Sequence, residues 1–222
     1  KPVKSAANRQ PQSDKTSHTK RADSLEDNFE SLLASNEKAV VVGVLLAGES
    51  PEQVDEELAE LESLLKTLGI QVMGRMLQKR QKLTPNCYIG SGKVQEIAEL
   101  AQSTGAKLIV FDRALSAPQV RNLEEMTCKT VVDRTGVILE IFSRHARSNQ
   151  AKTQVEIAQL EYLLPRLTGA WTHFQRQRGG GALQRGAGEK QIEIDRRRIR
   201  DRMSRLQKQL EQIRKEKATQ RK

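Results

Sequence analysis

The sequence predicts an α/β fold: a small, mostly parallel sheet with flanking helices, followed by a long antiparallel α-helical hairpin of coiled-coil character. Three observations carry that expectation. Ala39-Val-Val-Val-Gly-Val-Leu-Leu46 is a continuous, β-branched apolar run, as a strand buried on both faces of a parallel sheet requires. Strand-like runs then alternate with helical periodicity as far as Asp133. Beyond Asp133 no strand pattern recurs, and helical spacing dominates to the end.

Each element follows in order. Ser50-Pro51 supplies an N-cap and a first-turn proline, and Val54, Leu58, Leu61, Leu64, Leu65 and Leu68 keep helical spacing until Gly69 stops the helix. Ile70 to Leu77 reads as a second strand, and Lys79-Arg-Gln-Lys82 as a solvated loop ahead of Pro85. A helix is expected from about Lys93 to Thr104, a third strand over Lys107 to Asp112, a helix capped by Ser116, and a fourth strand over Lys129 to Asp133. Asp133 is placed to cap the segment holding Val137, Ile138, Ile141 and Phe142. A helix resumes near Gln150 and runs toward Pro165. A last one begins near Glu189, with Ile192, Ile199, Met203, Leu206, Leu210 and Ile213 forming a seam broken only by Arg196.

The domain reading is a disordered polar tail over residues 1–36, an α/β subdomain over 37–133 and a helical hairpin over 134–222. The tail has almost no large apolar residue before Leu25. Its first 21 residues hold six Lys and Arg against one Asp, which leaves open a targeting remnant. Placement is accordingly expected to be cytoplasmic, with an organellar alternative. Cys87 and Cys128 lack Cys-x-x-Cys partners and read as reduced thiols. His18, His145 and His173 share no metal spacing, and no uninterrupted apolar run is long enough to span a membrane. Only seven aromatic residues are present, which argues against a base-stacking platform and favours contacts to a nucleic-acid backbone.

The segment from Gln175 to Lys190 is a glycine-rich basic loop between the last two helices. Gly179, Gly180, Gly181, Gly186 and Gly188 let the backbone approach a phosphate surface, and Arg176, Arg178, Arg185 and Lys190 supply its counter-charge. Arg196, Arg197 and Arg198 are second-rank phosphate contacts along the following helix. Residues 171–222 hold 16 Lys and Arg against 6 Asp and Glu, while residues 1–170 hold 22 of each, so the whole net charge of +10 lies in the last quarter. A polyanionic partner fits that asymmetry. A solvated connector is the plainer alternative.

Gly90-Ser-Gly-Lys93 invites a phosphate-loop reading through Gly90, Gly92 and Lys93, yet Cys87 stands where that loop needs Gly and Val94 where it needs Ser or Thr. A self-capped helix N-terminus and a weak anion or nucleotide contact both remain open. Asp112 and Asp133 end their strands where α/β sheets place ligands, and each also reads as an N-cap. No catalytic nucleophile motif is present.

Asn86-Cys-Tyr-Ile-Gly-Ser-Gly-Lys93, Phe111-Asp-Arg-Ala-Leu-Ser-Ala-Pro-Gln-Val-Arg-Asn-Leu-Glu124, Val132-Asp-Arg-Thr-Gly-Val-Ile-Leu-Glu-Ile-Phe142, Gln159-Leu-Glu-Tyr-Leu-Leu-Pro-Arg-Leu167 and Gly186-Ala-Gly-Glu-Lys-Gln-Ile-Glu-Ile-Asp-Arg-Arg197 occur in order. With them the chain resembles the N-terminal region of the HflX family of ribosome-associated GTPases, over about residues 40–222. The resemblance implies docking on ribosomal RNA of the large ribosomal subunit, beside its catalytic centre, in the splitting or rescue of stalled ribosomes. It also implies a GTP-binding domain using GTP and Mg²⁺. No Walker A, switch or guanine-recognition sequence lies in these 222 residues, so that chemistry is expected beyond Lys222 and no cofactor is expected here. Two rival readings are an ATP-binding α/β domain using Gly90 to Lys93 and a coiled-coil module for a protein partner.

Overall fold

The computed structural model describes residues 37–81, 86–167 and 185–220, so the tail expected over 1–36 lies outside the described residues. The elements are β1 (Lys38–Leu46), α1 (Pro51–Thr67), β2 (Gln71–Arg80), α2 (Ser91–Thr104), β3 (Leu108–Phe111), α3 (Ala117–Thr127), β4 (Thr130–Asp133), α4 (Arg134–His145), α5 (Asn149–Leu163), a 3-10 turn (Leu164–Arg166) and α6 (Arg185–Gln220). The four strands form one sheet in the order β2-β1-β3-β4. Every pairing is parallel.

β1 sits inside the sheet, and its alternate side chains serve opposite layers, as the two-residue period of a strand dictates. Ala39, Val41 and Leu45 pack with Leu58, Leu61 and Leu65 of α1 and Val137 of α4. Val40, Val42 and Val44 pack with Val94 and Ile97 of α2 and Val120 and Leu123 of α3. Helices therefore cover both faces, which is why β1 carries no polar side chain beyond Lys38 at its start.

Two boundaries differ from the sequence expectation. Lys79 and Arg80 belong to β2, paired with Leu45 and Leu46, rather than to a loop. β2 is an edge strand alternating exposed and half-buried positions, and an edge tolerates charge that a central strand cannot. The second difference lies in α6, one uninterrupted helix of 36 residues that opens at Arg185 rather than near Glu189. Arg185, Gly186, Gly188 and Lys190 thus sit in its first turns, not in a loop. Glycine costs a helix about 1 kcal/mol, but extension of an existing helix adds one hydrogen bond per residue and outweighs that local cost. At 1.5 Å per residue α6 is about 54 Å long.

α6 lies beside α5, with Arg202 Nε 2.7 Å from Glu156 Oε1 and Lys217 Nζ 2.7 Å from Gln150 Oε1. Of the expected seam only Ile199 and Leu206 are buried, and among the described side chains of α6 the other buried residue is Asp195. The interruption of the seam is therefore a buried acid, bonded by Arg198 at 3.3 Å, and not Arg196.

Candidate nucleic-acid interface

The end of α5, the helix beside which α6 lies, is set on the α/β layer through Asp133. β4 delivers this aspartate to the sheet's edge, where it caps α4 by accepting the Gly136 N–H at 3.1 Å and is fully buried. Three further donors converge on it: Leu115 N–H at 2.9 Å, Tyr162 O–H at 3.0 Å and Arg166 Nη2 at 3.0 Å. Arg166 also donates to the Leu115 carbonyl at 2.7 Å and to the Tyr162 carbonyl at 2.8 Å, and lies 3.7 Å over the Tyr162 ring. Burial beside Asp133 pushes the Tyr162 phenol well above its ordinary pKa, so it remains a donor at neutral pH. The expectation that Asp133 caps a helix holds. Tyr162 and Arg166 both lie in the Gln159–Leu167 motif, but the motif did not show what they bind, because their partner lies about 30 residues upstream.

Asp112 behaves otherwise. The residue that caps α3 is Ser116, whose N–H donates to Gln119 Oε1 at 2.9 Å. Asp112 is instead buried at the end of β3, with neither carboxylate oxygen in a hydrogen bond of normal geometry. Burial pushes its pKa up to about 6, against the opposing pull of Arg113 and the Val44 amide. Arg113 turns to Glu49 at 2.7 Å. Tyr88, in a left-handed backbone conformation at φ 66°, packs its ring edge-to-face on Phe111 with centroids 5.9 Å apart.

Gly90 is the N-cap residue of α2, and its N–H donates to Gln78 Oε1 at 3.1 Å. A Cβ there would lie 2.8 Å from Arg80 Nη1, so the position is held open for a neighbouring side chain. Lys93 is ion-paired with Glu96 one turn along α2, while Gly92 faces open space.

Along α6, Arg196 Nη1 lies 3.9 Å from Glu193, Arg198 Nη1 3.3 Å from Asp195 and Arg200 Nη1 3.6 Å from Glu193. Arg202 pairs with Glu156 at 2.7 Å and Lys215 with Glu211 at 2.8 Å. Arg197 is exposed and has no ion pair among the described residues. Arg176, Arg178, Gly179, Gly180 and Gly181 lie outside the described residues. So do the side chains of Arg185 and Lys190, though their backbone is helical. Among the described residues no cluster of His, Cys, Asp and Glu could hold a metal ion, and no helix is long and apolar enough to cross a membrane.

Fold and charge together define a two-part class: a parallel α/β layer bearing a long basic helix. Residues 55–143 match the family described as GTP-binding GTPase N-terminal, and residues 145–222 that described as GTP-binding GTPase Middle Region. The chain belongs to the HflX family of GTPases and represents its N-terminal region. It is 46% identical over 177 residues to the GTPase HflX of Alkalihalophilus pseudofirmus, covering 80% of this chain and 41% of that protein. With the GTPase HflX of Escherichia coli it shares 42% over 182 residues, 82% of this chain and 42% of that one. The chain thus spans less than half the length of these relatives. A crystal structure of a GTP-binding protein from the archaeon Sulfolobus solfataricus in complex with GDP shares the fold, with TM-score 0.52 and 23% identity over 80% of this chain and 46% of that one.

Proposed function

We propose that this chain is the ribosome-binding part of an HflX-type GTPase, which engages ribosomal RNA of the large subunit near its catalytic centre and serves the splitting or rescue of stalled ribosomes. The charge separation carries the reading: residues 1–170 are neutral overall, and the 52 residues that follow hold all of the net charge of +10. In this reading α5 and α6 are the arms of an antiparallel, coiled-coil-like hairpin. The pairs Glu156–Arg202 and Gln150–Lys217 support it, since position rises along one helix as it falls along the other. Arg176, Arg178, Arg185 and Lys190 meet RNA phosphates at the tip, and Arg197 follows on the helix. GTP and Mg²⁺ act in a domain outside these residues, and the setting is cytoplasmic.

Binding of this chain to purified large subunits, read at several salt concentrations, tests the proposal. Affinity should fall steeply with salt, with a slope near −0.7 to −0.9 per phosphate contact. Replacing Arg176, Arg178, Arg185 and Lys190 together by Ala should weaken binding by at least tenfold and leave thermal stability within about 0.5 kcal/mol. A variant that binds as tightly as the parent makes the tip a mere connector.

A further inference from the structure

A groove of about 390 Å³ opens between α5 and α6, walled by Lys152, Thr153 and Glu156 on one side and by Arg202, Arg205 and Leu206 on the other. Its floor is fixed, because Thr153 and Leu206 are each 5% exposed. The Thr153 hydroxyl donates to the Asn149 carbonyl at 2.9 Å, which leaves its oxygen lone pairs as an acceptor only. The charges on the wall are unequally matched. Arg202 is bound to Glu156 across the groove at 2.7 Å, so that guanidinium and that carboxylate balance each other and tie the two helices. Lys152 and Arg205 have no carboxylate partner among the described residues, and the single hydrogen bond that Arg205 makes is from Nε to the Asp201 carbonyl at 3.3 Å. Both are exposed, so each keeps its charge and most of its donors. Elsewhere along α6 Arg196, Arg198, Arg200 and Lys215 have carboxylates within 4 Å, while Arg197, which also has no ion pair among the described residues, does not line the groove.

Two cations without carboxylate partners facing one concavity suit a tetrahedral anion with several acceptor oxygens, held by the walls and not by the acceptor-only floor. We propose that this groove seats a backbone phosphate of RNA, between Lys152 of α5 and Arg205 of α6, as a second contact point 20 positions along α6 from Arg185. The inference rests on the RNA-binding reading above and adds to it a site on the paired helices. A phosphate bound there bridges the two helices, so engagement of RNA also clamps α6 onto α5.

The test uses the whole chain and a fluorescein-labelled structured RNA hairpin, with dissociation constants measured from 50 to 300 mM KCl. Lys152→Gln with Arg205→Gln should lower the salt slope by about 0.7 to 0.9, the share of the one phosphate they seat. The control is Lys208→Gln with Arg214→Gln, two exposed positions on α6 outside the groove, which removes the same net charge. A groove variant that keeps the parent's slope overturns the inference and leaves the RNA-binding reading standing. So does a control variant that loses as much slope as the groove variant, since the effect is then bulk charge. Failure of the parent itself to bind the hairpin at 50 mM KCl sinks the RNA-binding reading, and the groove assignment falls with it.

Discussion

β3 and β4 leave the sheet side by side, and each ends in Asp-Arg, yet the two aspartates meet opposite fates. Asp133 receives four donors from Leu115, Gly136, Tyr162 and Arg166. Asp112, equally hidden, receives none of normal geometry, and its own neighbour Arg113 reaches past it to Glu49. The difference comes from what returns over each strand end. The end of α5 and the 3-10 turn bring a phenol and a guanidinium back over β4, whereas the end of β3 is closed by aromatic rings. A buried carboxylate is therefore a fastener in one place and a liability in the other, and the local dipeptide does not decide which.

The contrast breaks most readily at Asp133. Replacing it by Ala leaves a buried guanidinium, a phenol and two backbone N–H groups without their acceptor, and should cost about 3–5 kcal/mol of unfolding free energy at pH 7. Urea denaturation measures this, and a loss below about 1 kcal/mol would erase the distinction between the two strand ends.

Asp112 should make the stability of the fold depend on pH. Its carboxyl moves from an ordinary value of 3.8 to about 6 on folding, so the folded state holds the proton more tightly. The resulting stability is complete below the unfolded value and disappears as pH rises through about 6. Asp112→Asn has no such proton to lose. It should therefore gain on the parent by roughly 2–3 kcal/mol between pH 3.5 and pH 7, by denaturant titration at both. Parallel pH profiles for the two proteins would remove Asp112 as the cause.

The smallest effect sharpens the comparison within the Asp133 cluster. Tyr162→Phe keeps the ring beneath Arg166 and deletes only the hydroxyl bond to a carboxylate, which should cost about 1.5 kcal/mol in thermal unfolding. A cost as large as that of Asp133→Ala would assign the fastening to the phenol rather than to the charge pair.

Much of the fold was legible because its signals are local. The β-branched run of β1 and the leucine spacing of α1 specify burial by period alone, and the caps at Ser116 and Asp133 lie within a few residues of the groups they serve. Two things were misread, one because a nonlocal strand pairing overrode local polarity and one because cooperative helix extension overrode the local cost of glycine. Lys79 and Arg80 look like loop until β1 pairs with them, and Gly186 and Gly188 look like a flexible tip until the helix grows through them. Of the candidate site, net charge and its location were readable, but ion pairing was not. Arg198 is tied to Asp195, while Arg205 and Lys152, 53 positions apart in the chain, face one groove. Sequence spacing within one helix cannot show that.

Gly136 has a bearing on how freely this protein can diverge. It stands in the first turn of α4, where a Cβ would come within 2.8 Å of both the Tyr162 hydroxyl and Val132 Cγ1. Alanine would favour the helix by about 1 kcal/mol, yet that methyl would occupy the space through which Tyr162 reaches Asp133. A side chain at position 136 meets two obstacles at once, the Tyr162 hydroxyl and Val132 Cγ1, and both must give way before this glycine can be replaced. A lineage that loses the glycine should be found to have changed around both, at the cost of the attachment that the end of α5 makes to the sheet through Tyr162.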